Sequence, residues 1–108
     1  MITDCIFCKI LAGTIPAKKI YEDDDVIVFN DIKPMAKVHF LIVPKHHVET
    51  LKDCDASHQA LLGKMLLLAP KLAAELGLKG FKTLINTGRE GGQEVFHLHL
   101  HVFGGGTV

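Results

Sequence analysis

Neither sign of charge is in excess in this sequence: twelve Lys and Arg residues offset twelve Asp and Glu. Without a Lys/Arg run there is no electrostatic case for nucleic acid or a membrane surface as the main partner. Long hydrophobic runs are absent too. The longest, Met65 to Pro70, is bracketed by Lys64 and Lys71, and the opening Met1-Ile2-Thr3-Asp4-Cys5 carries no leader pattern, so neither secretion nor membrane insertion is expected. Cysteine is sparse and odd in number, at three, which argues against a disulfide framework and fits a reducing cytoplasm. No internal repeat and no low-complexity segment occurs. What is there is a chain of 108 residues, 48% hydrophobic and 22% charged. That is ordinary globular composition, and the length predicts a single domain spanning residues 1–108.

Thr3 or Asp4 can cap a short helix in which Ile6, Phe7, Ile10 and Leu11 fall at helical spacing, with Gly13 as its stop. Cys5 and Cys8 form a C-x-x-C within it: half of a zinc site, a redox pair, or two small core residues. The redox reading is the weakest, because no strand precedes the motif. Lys19 to Glu22 and Val26 to Phe29, separated by Asp23-Asp24-Asp25, read as a hairpin. Asp31 follows at a strand end, where a carboxylate either bonds its own turn or reaches a ligand. Val38 to Pro44 reads as a central, nearly apolar strand, and its His39, once buried, needs a partner. Lys45-His46-His47 comes next, as the chain leaves the sheet.

Asp55 or Ser57 is expected to open the main helix, which runs to about Leu76 with Gly77 behind it. Its apolar residues cover more than one stripe, predicting burial by the sheet on one side and a second subunit on the other. Pro70 removes a helical hydrogen bond and is expected to kink or interrupt the helix near Leu66. Cys54, before the helix, reads as a plain thiol. Phe81 to Asn86 is predicted as a strand, and Glu94 to Phe103 as the last one. The order of elements predicts an α+β fold with a mostly antiparallel sheet.

That last strand carries the chemistry. In His97-Leu98-His99-Leu100-His101-Val102-Phe103 the alternation puts three imidazoles on one face and Leu98, Leu100 and Val102 on the other. Neighbouring rings on that face are about 7 Å apart at the backbone. Tetrahedral chelation by all three is therefore awkward, and two of them with ligands from elsewhere is easier. Alternatively the middle imidazole attacks phosphorus while its other nitrogen is held as a donor, and a flanking histidine protonates the leaving group. Gly88-Arg89-Glu90-Gly91-Gly92-Gln93, just upstream, is a turn whose glycine amides can face an anion, although it is not a Walker loop. The glycines favour the phosphorus reading, a phosphate-ester or phosphoramidate site.

The same seven residues resemble the signature of the histidine triad superfamily. Ile6-Phe7, Ile15-Pro16-Ala17, Tyr21-Glu22-Asp23, Asp31-Ile32, Pro34, His39-Phe40-Leu41, Pro44-Lys45, Asn86, Gly91-Gly92-Gln93 and Gly104-Gly105 extend the likeness over nearly the whole chain. They are similar to the Hint branch, the histidine triad nucleotide-binding proteins. That resemblance implies a five-stranded antiparallel sheet with one short and one long helix. It also implies a homodimer with a joined ten-stranded sheet, and hydrolysis of purine nucleoside 5′-phosphoramidates to the nucleotide and free amine. By the same resemblance His99 is the nucleophile, His101 assists the leaving amine with His39 behind it, and His97 orients the site through its carbonyl. Asp31 takes the ribose hydroxyls. Ile6, Phe7, Ile10, Phe29 and Ile32 enclose the base, and Asn86, Gly92, Gln93, Glu94 and Val95 line the phosphates. No cofactor is implied for catalysis. Some microbial members hold a structural zinc, and the matching residues are Cys5, Cys8, His47 and His97.

Two departures bear on leaving-group preference. Glu94 stands where animal members have a serine, and the chain ends at Val108, five residues after Phe103, where they carry a longer tail. The rival readings are a dinucleoside polyphosphate hydrolase and a nucleotide-binding interaction module without turnover.

Overall fold

The computed structural model describes residues 5–106. Helix α1, Ile6–Leu11, is followed by strands β1 (Lys19–Glu22), β2 (Val26–Asn30) and β3 (Val38–Pro44). Two short 3-10 turns lead into helix α2, Gln59–Glu75, after which come β4 (Lys82–Leu84) and β5 (Leu100–Gly104). The strands form one antiparallel sheet in the order β1-β2-β3-β5-β4. The α+β architecture and the five strands agree with the sequence reading.

Alternation along the strands decides what each sheet face meets. Val26, Val28, Phe40, Ile42, Leu100 and Val102 point to one face and pack with Met65, Leu68, Ala69 and Leu72 of α2. Ile27, Phe29, Leu41 and Val43 point to the other, where they meet Cys5, Phe7 and Cys8 from α1. α1 covers only part of that second face. Further along the same face, His39 pairs in register with Phe103 and Leu41 with His101, which places the His39 and His101 imidazoles on that side of the sheet, while the His97 and His99 rings contact Phe7 of α1.

Three sequence expectations are corrected here. The histidine strand is shorter than Glu94 to Phe103, because Leu98 N–H bonds the Val48 carbonyl, off the sheet, and pairing with β3 starts only at Leu100 opposite Ile42. His97 and His99 therefore precede the strand. β4 likewise keeps only Lys82–Leu84 of the run from Phe81 to Asn86. The long helix begins at Gln59, since Asp55 caps a 3-10 turn (Ala56–His58) ahead of it, and it runs unbroken through Pro70. The end at Gly77, whose φ is +83°, stands as expected. For α1 the cap expected at Thr3 or Asp4 lies outside the described residues. The cap observed is Cys5, whose sulfur accepts the Cys8 N–H.

Gly104 is required where it is. A Cβ there would sit 2.8 Å from the Gly80 carbonyl oxygen and 3.3 Å from Phe81 Cα, so the entry to β4 can pass close against the end of β5 only with no side chain present.

Candidate active site and metal-ligand cluster

His99 is 7% exposed, and its Nδ1 lies 2.7 Å from the carbonyl oxygen of His97. A carbonyl can only accept, so Nδ1 carries the proton and Nε2 keeps its lone pair. Phe7 presses edge-on to the His99 ring at 5.0 Å and to Phe29 at 5.5 Å, which fixes the ring plane. Burial lowers the His99 pKa, so the ring is neutral near pH 7. A neutral imidazole with an accessible Nε2 lone pair is the form that attacks phosphorus.

The neighbouring rings are assigned by the same logic. Met35 N–H donates to His39 Nδ1 at 3.0 Å. His39 then carries its proton on Nε2, which faces His101 Nδ1 at 2.9 Å. His101 in turn bears its proton on Nε2. The His99 and His101 rings are 4.9 Å apart, so a lone pair and an N–H donor stand side by side. Burial, with His99 and His39 adding to it, pulls His101 down to about 4, and burial also lowers His39. Asp31 adjoins this pair: Oδ1 accepts Lys33 N–H at 2.8 Å, and Oδ2 is 3.4 Å from His39 Nε2. The turn reading of Asp31 from sequence is realised, and its other oxygen faces the His39–His101 pair. Met35 was missed by sequence reasoning, since its backbone N–H does the work and no side-chain signal marks it.

The apolar set divides. Phe7 and Phe29 are buried in the core, Ile10 is half-buried, and Ile6 and Ile32 are exposed at 40% and 88%. In the connection before the histidines, Arg89–Gly91 forms a 3-10 turn that consumes the glycine amides. Gly91 N–H bonds the Gly88 carbonyl, Gly92 N–H that of Arg89, and Gln93 N–H again that of Gly88. The expected anion cradle therefore does not come from the amides of Gly91 and Gly92. Asn86 adjoins Gly92, Glu94 is exposed and Val95 half-buried. Gln93 is buried and wholly engaged, with Nε2 donating to the carbonyls of Glu49 (2.7 Å) and Val95 (3.0 Å) while Oε1 accepts Gly88 N–H (2.9 Å). It clamps the loop.

His97 is fully buried, and its ring faces a second cluster. Nε2 donates to the Pro44 carbonyl at 2.7 Å, which leaves the Nδ1 lone pair aimed at Cys5 Sγ (3.2 Å), Cys8 Sγ (3.6 Å) and His47 Nδ1 (3.1 Å). Cys8 Sγ is also 3.4 Å from His47 Nδ1. The four donor atoms lie within 4.8 Å of one another. In a tetrahedral zinc site with ordinary Zn–N and Zn–S bonds, ligand atoms stand about 3.3 to 3.8 Å apart. The donors match zinc in type, four of their separations (3.1 to 3.6 Å) lie close to that spacing, and the His97 tautomer presents a lone pair to the cluster. Burial, with neighbouring histidines adding to it, draws His97 down to about 4, which keeps its ring in the neutral ligating form. Cys54 lies apart, its thiol 3.8 Å from the Thr50 carbonyl and its pKa raised by burial.

Among the described residues no helix is long and apolar enough to cross a membrane.

Comparison with known proteins agrees with this geometry. The HIT domain model matches residues 12–108. Protein HitA of Neisseria gonorrhoeae is 55% identical over 102 residues, covering 94% of this chain and 95% of its own. The purine nucleoside phosphoramidase of Escherichia coli K12 is 42% identical, covering 97% and 90%. A crystal structure of a HIT family hydrolase from Legionella pneumophila superposes with a TM-score of 0.92 at 44% identity, covering 94% and 93%. With the histidine signature, the five-stranded sheet and these relatives in agreement, the chain belongs to the histidine triad (HIT) family, on its Hint-like branch.

Proposed function

We infer that the chain is a HIT-family hydrolase acting on purine nucleoside 5′-phosphoramidates. The observation that carries this is the bond from His99 Nδ1 to the His97 carbonyl at 2.7 Å, which leaves Nε2 nucleophilic beside the His101 donor. His99 Nε2 attacks the α-phosphorus, the P–N bond breaks, and the amine leaves with a proton from His101 Nε2. Water then attacks the nucleotidyl-histidine, returns a proton to His101, and releases the nucleotide. Asp31 takes the ribose hydroxyls as a bidentate acceptor. Ile6, Phe7, Ile10, Phe29 and Ile32 form the base side, where Ile6 and Ile32 supply the exposed surface. Asn86, Gly92, Glu94 and Val95 line the phosphates. Gln93 contributes by holding that loop in place. The relative named purine nucleoside phosphoramidase supports the substrate class.

Zinc fits Cys5, Cys8, His47 and His97, where it would cross-link α1 to the segment carrying His97. Catalysis itself needs no cofactor in this scheme. The outer side of α2 exposes Leu66, Leu67 and Leu76 at 51%, 75% and 41%, and β4 is an exposed sheet edge. An apolar helix face beside an unpaired edge supports a homodimer that joins two sheets into ten strands. Sedimentation at micromolar concentration tests it, and a monomer there refutes it.

Adenosine 5′-phosphoramidate turnover by the parent, His99→Ala and Glu94→Ser tests the reaction. Faster turnover of diadenosine polyphosphates would favour the rival hydrolase. Nucleotide affinity with equal, negligible hydrolysis in parent and His99→Ala would favour the interaction module.

A further inference from the structure

The site face of the sheet does not end at the catalytic rings. One strand step beyond His101 on β5, about 7 Å along and on the same face, stands Phe103. Its cross-strand partners are His39 on β3 and Lys82 on β4, and residues directly opposite in an antiparallel ladder share a face. An open groove of about 480 Å³ lies here, lined by Met35, Phe81, Lys82 and Phe103, with Gly80 and Gly104 among its boundaries. The tight passage of Gly104 past Gly80 and Phe81 brings that last wall alongside β5.

Two walls of the groove are tied to the His39–His101 pair. The Phe103 ring is 5.1 Å from the His39 ring, and Met35 gives its backbone N–H to His39 Nδ1. The walls are apolar, yet Met35 and Phe81 are exposed; exposed apolar surface that lines a concave site is where ligands dock. Among the described residues no carboxylate lies within ion-pair distance of Lys82, whereas Lys19, Lys45 and Lys64 are each so paired. The groove therefore offers apolar walls and one uncompensated cation, and it adjoins the pair that serves the leaving amine. Joining two β4 edges in the proposed dimer uses backbone groups of that edge and leaves the Lys82 side chain on the sheet face.

We propose that this groove is the subsite for the leaving amine, and that it selects an amine bearing both an apolar side chain and a carboxylate: an apolar α-amino acid joined through its nitrogen to the nucleotide phosphorus. This rests on the phosphoramidase reading and names the amine of that substrate. With the scissile nitrogen at His101, the side chain of the amino acid runs along β5 onto Phe103, Met35 and Phe81, and its carboxylate meets Lys82. A plain amine leaves that cation unanswered, and a basic one is repelled by it. A second nucleoside, as in a dinucleoside polyphosphate, would bring several negative charges to a single lysine. It would also set the polar edges of a base against walls whose one polar side chain is Lys82. The amino acid matches both the walls and the charge.

Two adenosine 5′-phosphoramidates, one of L-phenylalanine and one of its methyl ester, differ only in the charge that Lys82 meets. The ratio of kcat/KM for the acid over the ester is expected to fall about threefold in Lys82→Gln and about tenfold in Lys82→Glu. Lys82 is exposed, so neither change disturbs packing, and a ratio unmoved in Lys82→Glu overturns the carboxylate anchor. For the walls, kcat/KM for the phenylalanine-linked substrate over its alanine-linked counterpart is expected to fall about fivefold in Phe81→Ala; an unmoved ratio overturns the groove as the seat of the side chain. A loss of diadenosine tetraphosphate hydrolysis in Lys82→Glu that exceeds the loss on the phenylalanine substrate assigns the groove to a second nucleotide and also overturns the proposal. Binding is independent of turnover. In the parent loaded with AMP, millimolar L-phenylalanine should shift the amide NMR signals of Met35, Lys82 and Phe103, and Lys82→Glu should abolish those shifts. No shift in the parent, or equal shifts in both proteins, overturns the proposal. A parent that hydrolyses none of the phosphoramidates refutes the phosphoramidase reading instead, and the binding data then judge the groove on their own.

Discussion

Cys5 and His99, from opposite ends of the chain, are joined through one residue. The His97 ring nitrogen Nδ1 lies 3.2 Å from Cys5 Sγ, and the His97 carbonyl accepts the Nδ1–H of His99 at 2.7 Å. The metal-ligand cluster and the nucleophile thus share a backbone segment, and what orders one orders the other.

Protein purified after growth in zinc-replete medium is expected to carry about one zinc per chain by elemental analysis. Cys8→Ala should lose it and lower Tm by more than about 5 °C, since the metal ties α1 to a segment far away in sequence. Protein without metal, or a Cys8→Ala variant that keeps it, refutes the cluster as a zinc site.

His99→Ala is expected to cut kcat by at least about 10⁴-fold, because it removes the group that bonds to phosphorus. His101→Ala should cost about 10² to 10⁴, the range for a positioned acid. Both variants should retain nucleotide binding by calorimetry. Quenching the parent during turnover of labelled substrate should place the nucleotidyl group on residue 99, and recovery of label on no histidine would rule out the covalent route.

Gln93 holds the 88–95 loop through three bonds of its side chain. Gln93→Ala removes the partner of two carbonyls and one N–H in part-buried positions, at a cost of about 1 to 3 kcal/mol. The expected readout is a lower urea midpoint together with a raised KM. A change in KM with the midpoint unmoved would assign Gln93 to direct substrate contact instead.

Acid should weaken the fold in two stages. His101, at about 4 when folded, and His39, also lowered, take up protons near 6.5 once unfolded. The unfolded chain therefore binds more protons as pH falls from about 6.5 towards 4, and stability drops over that window by on the order of 2 kcal/mol. Glu22, held down to about 2 by Lys45 and Lys19, acts in the other stage: its contribution is present above its ordinary value of 4.5 and fades as pH falls towards 2. As Glu22 is exposed, that second loss is small. Urea midpoints at pH 7.5, 5.5 and 4.5 that do not differ would contradict the buried, neutral imidazoles.

Much of this molecule is set by local pattern. The Leu-His alternation dictates which side of the chain is core and which is site, because a strand turns successive side chains to opposite faces. The run Val38 to Pro44 reads as a central strand, and the apolar circumference of the long helix calls for cover by the sheet. The seven-residue histidine signature was enough to point to the family. The tertiary structure decided what depends on partners distant in sequence. Where the last strand starts was settled by Val48 taking Leu98 out of the ladder. Which nitrogen of each ring carries its proton was settled by Pro44, Met35 and the His97 carbonyl, since an imidazole tautomer follows its hydrogen-bond partners and no side-chain pattern encodes a backbone donor. The glycine amides were spent inside their own turn for a similar reason: residue type permits a cradle, but only the folded path of the chain determines where an N–H points.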